Sequence, residues 1–373
     1  MENIGLKPNN QKTRIINAEL IDSSGKTRID DVTIAGRQFI ESISTQQQDS
    51  KVIDAKGCLL LPGLHDHHTH FLAYAASLVS VKCGPPEVTS EDGLISALHG
   101  QPESYWLRGN GFHESVLKPL DRQWLDTFGP NQPIRIQHRS GRLWILNTLG
   151  LEILANAAIS LPLHQKAHLK PANGHLYDCD ELLGTLMLTE MPPVPIASRK
   201  IASFGVTGIN DMTPSNDPKT WRWFDELQTN RDLLQKVRMS GKRELSNCEQ
   251  TQNLYVGETK VHLHESALPK IDDLVLTIIE SHDYNRNVAV HCVTEVELVF
   301  TLSAFQTAGA LPGDRIEHAS VIPPALIEQL YELGLCVVTQ PNFIKERGDT
   351  YIENVPMSEH SFLYRTNSLI RSG

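Results

Sequence analysis

The hydrophobic pattern changes character along the chain. The first sixty residues alternate short β-prone runs with turn residues, and these runs predict a small antiparallel β-layer. From about Val206 onward, short apolar runs alternate with longer helix-like segments such as 271–281 and 324–333. This rhythm is typical of a parallel α/β architecture.

Seven strand candidates make up the α/β region. One ends at the histidine-rich segment 64–70, and the others lie at 206–210, 236–239, 259–263, 288–291, 315–318 and 336–339. A closed (β/α)₈ barrel needs eight strands. We therefore predict a TIM-type barrel that lacks its last strand, and we expect that strand beyond Gly373.

Residues from about 71 to 200 do not follow the α/β rhythm. They hold two apolar β-like pieces, 105–108 and 133–137, which indicate an insertion after the first barrel strand. The predicted organisation is a small β-sandwich part over residues 1–60 and a barrel over residues 61–373, interrupted by the insertion.

Composition and charge exclude several classes of protein. Hydrophobic residues make up 40% and charged residues 21% of the chain, which is ordinary globular composition. A net charge of -10 disfavours binding to nucleic acid or to an anionic membrane. The six cysteines form no CxxC pair and the N-terminus has no signal-peptide pattern, so we expect a cytoplasmic protein with reduced thiols. The oligomeric state stays open, a homo-oligomer included.

His68 and His70 are the first candidates for chemistry. In an extended strand, two residues separated by one position leave the same face, so both imidazoles can hold one cation. A histidine-rich surface turn is the alternative. The pair follows the apolar run 58–61 and Pro62-Gly63, where a barrel strand is expected to end.

Three further candidates lie in later strands. Lys260 alternates with apolar positions, and burial would favour its neutral amine, which can react with carbon dioxide to form a metal-bridging carbamate. His291 and His318 end two successive strand candidates and would face the same rim. Taken alone, each has a structural alternative, as a strand-edge lysine or a hydrogen-bonded histidine. The other histidines are expected to be structural, with His113 and His138 as candidate substrate contacts.

The segment 62–70, Pro-Gly-Leu-His-Asp-His-His-Thr-His, resembles the PGxxDxHxH signature of the amidohydrolase superfamily. The strand lysine and the two later strand histidines match the same pattern. Three more segments resemble the YtcJ-like (amidohydrolase 3) branch: Trp106-Leu107-Arg108-Gly109, Gln137-His138-Arg139-Ser140-Gly141 and Gln340-Pro341-Asn342-Phe343.

The resemblance implies one or two divalent metal ions, for which the ligand types suggest zinc. His68 and His70 would bind the more buried ion, His291 and His318 the second, and a carboxylated Lys260 would bridge them. The implied activity is hydrolysis of a carbon–nitrogen bond in a small-molecule amide by a metal-activated hydroxide.

The resemblance also implies a catalytic aspartate on the eighth strand, which we expect beyond Gly373. Asp349 lies in a polar segment that reads as a loop, and we do not assign it this role. We therefore expect little or no hydrolase activity from the 373-residue chain. The alternative is a catalytically inactive, metal-binding protein of the same fold. A metal-free sugar- or nucleotide-binding barrel would need a Gly-rich phosphate loop, and none is found.

Overall fold

The computed structural model describes residues 12–22, 24–35, 38–40, 51–101, 105–160, 169, 171–186 and 191–373. The chain forms two compact units, Met1–Leu64 and His65–Gly373. Among the described residues, no helix is both long and apolar enough to cross a membrane.

The N-terminal unit contains one four-stranded sheet in the order β3-β2-β1-β4. Its strands are β1 (Lys12–Ile21), β2 (Thr27–Ala35), β3 (Gln38–Ile40) and β4 (Lys51–Asp54). β1 and β2 are antiparallel, as predicted, but β4 pairs with β1 in parallel, so the prediction of a purely antiparallel layer is wrong. Short apolar runs do not encode strand direction, and β4 takes the edge opposite β3. The second layer of a β-sandwich stays a prediction.

The first strand of the larger unit is β5 (Leu64–Thr69), which is followed by helix α1 (Phe71–Ser77). The strand therefore lies on the histidine-rich segment itself. The preceding run Cys58–Leu61, which was predicted to be the strand, contributes only a single bridge at Leu59. The prediction fails there because Pro62-Gly63 separates this run from the residues that join the sheet.

Residues after α1 form a separate five-stranded sheet in the order β10-β9-β8-β7-β6. Its strands are β6 (Val81–Lys82), β7 (Leu107–Phe112), β8 (Ile134–His138), β9 (Leu143–Leu146) and β10 (His175–Tyr177). Its helices are α2 (Glu91–His99), α3 (Arg122–Phe128), α4 (Thr148–Ala157) and α5 (Asp180–Leu186). Alternating side chains bury both faces: Leu143 and Ile145 pack on one side, Trp144 and Leu146 on the other.

The remaining strands join β5 in a seven-stranded sheet of order β16-β15-β14-β13-β12-β11-β5. They are β11 (Val206–Asp211), β12 (Lys236–Gly241), β13 (Leu254–His262), β14 (Val288–Cys292), β15 (Arg315–His318) and β16 (Cys336–Val338). The registers from β11 to β16 are parallel, as the sequence predicts.

Helices accompany this sheet along the chain: α6 (Val194–Ser203), α7 (Pro218–Thr229), α8 (Ile271–Asp283), α9 (Glu295–Ala308), α10 (Pro324–Glu332), α11 (Phe343–Asn354) and α12 (Thr366–Ser372). Short 3₁₀ helices lie at Ala158–Ser160, Arg243–Asn247, Glu265–Ala267 and Met357–Phe362. Asp349 lies inside α11, so the prediction of a loop there is wrong; the segment is polar because the helix is largely exposed.

The seven-stranded sheet has an apolar face and a polar face. Val288, Val290 and Ile316 pack into the core shared with the helices. The alternate positions carry polar side chains that point the other way: Arg238, Ser240, Glu258, Lys260, His291, Arg315 and Glu317. Because successive side chains alternate between the two faces of the sheet, the strand ends carry a polar face opposite the apolar one.

Contacts across the sheet show that it is strongly curved. β5 and β15 are five strands apart in the hydrogen-bonded order, roughly 24 Å in a flat sheet. Nevertheless, His68 of β5 is hydrogen-bonded to Glu317 of β15, and Arg315 donates to the backbone oxygen of His67 at 2.8 Å. The sheet is thus a nearly closed barrel whose polar face is on the inside.

Candidate metal centre

The five residues predicted as metal ligands all lie at one end of the parallel sheet. His68 is in β5 and His70 directly follows it, while the other three are on successive strands: Lys260 on β13, His291 on β14 and His318 on β15. The carboxyl ends of parallel strands in a barrel meet at one rim, which explains why residues so distant in sequence come together.

The four histidines form a continuous series of ring contacts. The ring centroids of His68 and His70 are 5.3 Å apart, and those of His68 and His318 are 4.5 Å apart. His291 continues the series, with its centroid 4.6 Å from that of His318. The structure thus brings the predicted histidines of β5, β14 and β15 into one cluster.

Lys260 is buried beside this cluster with only 8% of its surface exposed. Its Nζ has no hydrogen-bond partner among the described residues. Burial lowers the pKa of Lys260 to about 8, although the nearby Glu317 carboxylate favours the charged form. A buried amine without an acceptor is costly, so any group that supplies an acceptor to Nζ would be stabilised here.

Hydrogen bonds at Nδ1 determine which ring nitrogen of each histidine carries the proton. His68 donates through Nδ1 to the Glu317 carboxylate, and His318 donates through Nδ1 to Gln340 Oε1 at 2.6 Å. Nδ1 of His70 lies 3.1 Å from the Thr213 hydroxyl. In neutral His68 and His318, Nε2 therefore holds the lone pair that a metal ion requires.

Three histidines of the cluster, His70, His291 and His318, favour the neutral form. Burial lowers the pKa of His70 to about 4, although the residue keeps an exposed edge at the rim. Burial and the neighbouring His68 lower the pKa of His318 to about 3, and burial with His318 lowers the pKa of His291 still further. At neutral pH all three are unprotonated, the state in which imidazole binds metals.

Glu317 and Arg315 were missed by the sequence reasoning. Glu317 is fully buried and bonded to both His68 and Arg315, while Arg315 Nη1 lies 3.8 Å from Glu258. Burial would raise the pKa of Glu317, but the His68 hydrogen bond and the charges of Lys260 and Arg315 hold it at about 2. Two opposite charges at alternate positions of a four-residue strand were the available signal.

The backbone at the end of β15 is strained. His318 and Ala319 adopt positive φ angles of 69° and 45°, which non-glycine residues rarely do. Strict alternation would turn His318 away from Glu317 and towards the helices. The left-handed conformation instead brings the His318 ring to the cluster, so the strain is located where it orients a candidate ligand.

The donor set suits a metal ion even though the rings are not yet convergent. Within the described residues, no group of three or more His, Cys, Asp and Glu side chains is already arranged to hold a metal. Two imidazoles that share one tetrahedral zinc ion at about 2.0–2.1 Å have ring centroids roughly 5 Å apart. Since the observed spacings are 4.5–5.3 Å, rotation of side chains, rather than movement of strands, would complete the site.

Among the other histidines, His65 has a structural contact. Its Nε2 lies 2.8 Å from Asn210 Oδ1, and its ring packs against Gly208. His113 and His138 lie in the inserted sheet, and both Nε2 atoms face the Glu114 carboxylate, at 3.8 and 3.1 Å. A role for this pair in substrate binding stays a prediction.

A cavity of about 760 Å³ lies at the same end of the barrel as the cluster. Its lining includes Val293, which follows β14, and Val321, which follows β15, together with Phe300 of α9. None of the five predicted ligands lines it. The cavity is therefore a neighbouring space and not the cluster itself.

The sequence matches the model of the amidohydrolase family over residues 51–373. Two relatives are similar over most of this chain. The LONG AFTER FAR-RED 3 protein of Arabidopsis thaliana is 19% identical over 391 residues, which cover 86% of this chain and 66% of that protein. The YtcJ protein of Bacillus subtilis (strain 168) is 20% identical over 413 residues, which cover 94% of this chain and 76% of that protein.

Solved structures share the fold. An uncharacterized metal-dependent hydrolase from Pyrococcus horikoshii OT3 superposes with a TM-score of 0.74 at 19% identity, covering 97% of this chain and 81% of that one. A second, from Pyrococcus furiosus, has a TM-score of 0.71 at 18% identity, covering 96% and 83%. The family match extends over most of the sequence and includes every strand of the curved sheet. This chain therefore belongs to the amidohydrolase family.

Proposed function

We propose that this protein is a metal-dependent hydrolase that cleaves a carbon–nitrogen bond, other than a peptide bond, in a small-molecule amide. The observation that carries the proposal is the cluster of four imidazoles beside the buried, unpaired amine of Lys260. Neutral nitrogen donors favour zinc and related ions. The family membership supports the same class of chemistry.

In the proposed site, His68 and His70 would hold one ion and His291 and His318 would hold the second. Lys260, as a carbamate, contributes a bridging carboxylate, which its lowered pKa favours because only the neutral amine reacts with carbon dioxide. Bound metal would lower the pKa of a water molecule to about 7 and polarise the amide carbonyl.

The residues around these ligands position them. Glu317 accepts the Nδ1 proton of His68 and so keeps the Nε2 lone pair directed at the ion, while Gln340 does the same for His318. Arg315 ties Glu317 to the backbone of His67, the residue before His68. The ion pair between Arg315 and Glu317 on β15 thus holds His68 on β5 in position.

The proposal extends to the fold, the cellular location and the binding partner of the protein. We propose that the site lies in a TIM-type barrel and that the N-terminal unit is part of a small β-sandwich. The six cysteines are free thiols, which fits a reducing compartment, and we propose the cytoplasm. The partner is a small molecule, because the site lies inside a barrel mouth rather than on an open surface.

A second candidate is a metal-binding protein of this family without turnover. Hydrolysis needs a group that moves a proton, and the buried carboxylates of the barrel are already engaged. Glu317 and Glu258 bond to arginines, and Asp211 accepts hydrogen bonds from Phe71, Thr213 and Asn216. A metal site can therefore exist without the proton carrier.

The test is metal content per chain after reconstitution with zinc, measured by plasma mass spectrometry, for wild type and Lys260→Ala. We expect about two equivalents in wild type, as in two-metal hydrolases, and one or none in the variant. Release of amine from a panel of N-acetyl amino acids and cyclic amides is then followed with and without a chelator. Turnover that the chelator abolishes supports hydrolysis and contradicts the second candidate, whereas absence of metal contradicts both.

A further inference from the structure

A fifth histidine, His262, faces the cluster. It ends β13 two residues after Lys260, so both side chains leave the same face of the strand. In the parallel pairing of β13 with β14, His262 is the register partner of His291. From the sequence alone, His262 is expected to be a structural or surface residue.

The spacing of the His262 ring continues the series of imidazoles. Its centroid is 4.4 Å from that of His291 at an interplanar angle of 80°. The contact between His291 and His318 has nearly the same geometry, 4.6 Å and 73°. Two imidazoles on one tetrahedral zinc ion have centroids roughly 5 Å apart, so a modest rotation of the rings would bring this pair to that separation.

The nitrogens of His262 are uncommitted, in contrast to those of its neighbour His264. Among the described residues, no hydrogen bond engages either ring nitrogen of His262. His264 Nδ1 instead accepts from the backbone N–H of Ser266 at 3.2 Å and lies 2.7 Å from its hydroxyl. His264 is therefore held by a local contact, whereas, within the described part of the chain, both ring nitrogens of His262 are free to bind a ligand.

We propose that His262 is an additional ligand of the second metal ion, next to His291. This inference rests on the proposed function, because it requires that a metal centre forms. The exposed position of His262 at the barrel mouth allows its ring to rotate onto the ion without displacing a packed side chain. Its imidazole would then give the second ion three histidine ligands besides the Lys260 carbamate, a four-coordinate nitrogen and oxygen set that zinc accepts.

The experiment is a titration of metal-depleted protein with Co²⁺, followed by visible absorption and by metal analysis after gel filtration. Wild type is compared with His262→Ala, with the volume-conserving His262→Gln, and with His264→Ala as the matched control. Circular dichroism confirms that each variant is folded. We expect both His262 variants to bind the second Co²⁺ at least about tenfold more weakly with an altered spectrum, and His264→Ala to match wild type.

The possible results distinguish the claim that a metal centre forms from the claim that His262 is one of its ligands. If wild type takes up no cobalt, the proposed metal centre is wrong and this inference falls with it. If wild type binds cobalt and both folded His262 variants bind the same two equivalents with the same affinity and spectrum, the metal centre stands and the role of His262 is overturned. If His264→Ala weakens the second site as much as the His262 variants do, the effect is not specific to His262 and the inference is also overturned.

Discussion

At His68 and His318, the partner of Nδ1 decides what the other ring nitrogen can do. A carboxylate or amide oxygen at Nδ1 requires the proton on that nitrogen. Nε2 of the neutral ring is then unprotonated, and its lone pair can bind a metal ion. At His264 the backbone N–H of Ser266 points at Nδ1, so the proton of the neutral ring is on Nε2, which cannot ligate a metal. Hydrogen bonding thus separates candidate ligands from structural histidines.

Glu317→Gln tests this positioning role. The amide cannot accept as strongly from His68 and leaves Arg315 with only the more distant Glu258 as a buried counter-charge. We expect zinc affinity to fall by about 10- to 100-fold, the usual cost of losing such a partner. Titration with a zinc indicator measures it, with Glu328→Gln on the exposed face of α10 as the control. Unchanged affinity in Glu317→Gln would refute the role.

The lowered pKa of Lys260 predicts that the stability of the protein depends on pH. Its pKa is about 8 in the folded protein against an ordinary 10.5, so between these values the unfolded chain holds a proton that the folded protein has released. Stability therefore rises with pH across this window and is lower below it. Relative to Lys260→Met, metal-free wild type should gain up to about 3 kcal/mol between pH 8 and 10.5 in urea unfolding. Parallel pH profiles would contradict the assignment.

The predicted ligands could be identified from sequence, but their supporting residues could not. His68, His70, Lys260, His291 and His318 carry a spacing that places metal-binding types at successive strand ends. Glu317 and Arg315 support His68 and His67 only because β15 lies against β5. These residues are about 250 positions apart, and no local pattern encodes the contact between them.

Between elements, the pairing of β5 with β11 depends on a close approach at Gly208. A Cβ at this position would lie 2.3 Å from Nδ1 of His65, so any side chain would displace the His65 ring from its contact with β11. The glycine is therefore required by packing and not by its backbone angles. Because β5 carries His68, this pairing also positions the candidate metal centre.

We expect Gly208→Ala to lower the free energy of unfolding by about 1–3 kcal/mol through overpacking. Gly184→Ala in α5 is the matched control, since open space surrounds that position, and it should be neutral or stabilising by up to about 1 kcal/mol. Adding His65→Ala to Gly208→Ala should recover part of the loss in chemical denaturation. Equal effects of the two glycine substitutions would argue against the close contact.

The end of β15 gives a second prediction at this scale. Ala319 is buried at a φ of 45°, where a β-branched side chain is strongly disfavoured. Ala319→Val should destabilise the protein by about 1–3 kcal/mol, whereas Ala319→Gly, which tolerates the same angle, should change stability by less than about 1 kcal/mol. Urea unfolding distinguishes them, and similar values for both would mean that the strained turn is absent in solution.

Strand positions followed from the hydrophobic pattern where that pattern was clear. β15 has the bounds predicted, Arg315–His318, but β13 begins at Leu254, five residues before the predicted start at Thr259. Gly257 and Glu258 interrupt the apolar alternation there. Glu258 points into the barrel, where charged partners replace the apolar environment that a sequence pattern assumes.

At the scale of the whole molecule, the curvature of the seven-stranded sheet brings the candidate metal ligands together. In a flat sheet His68 and His318 would be far apart, yet their ring centroids are 4.5 Å apart. The parallel α/β rhythm predicted this sheet, while the inserted five-stranded sheet was only partly foreseen. Strands as short as Val81–Lys82 and His175–Tyr177 carry too few residues to show a period.

The most direct test of the account is a zinc-loaded crystal with diffraction measured on both sides of the zinc absorption edge. The account predicts anomalous peaks within about 2.0–2.2 Å of His68 Nε2 and His318 Nε2, with density for a carboxylated Lys260 between them. Zinc bound elsewhere, or a protein that crystallises in excess zinc with no peak at these histidines, would contradict the proposed metal centre.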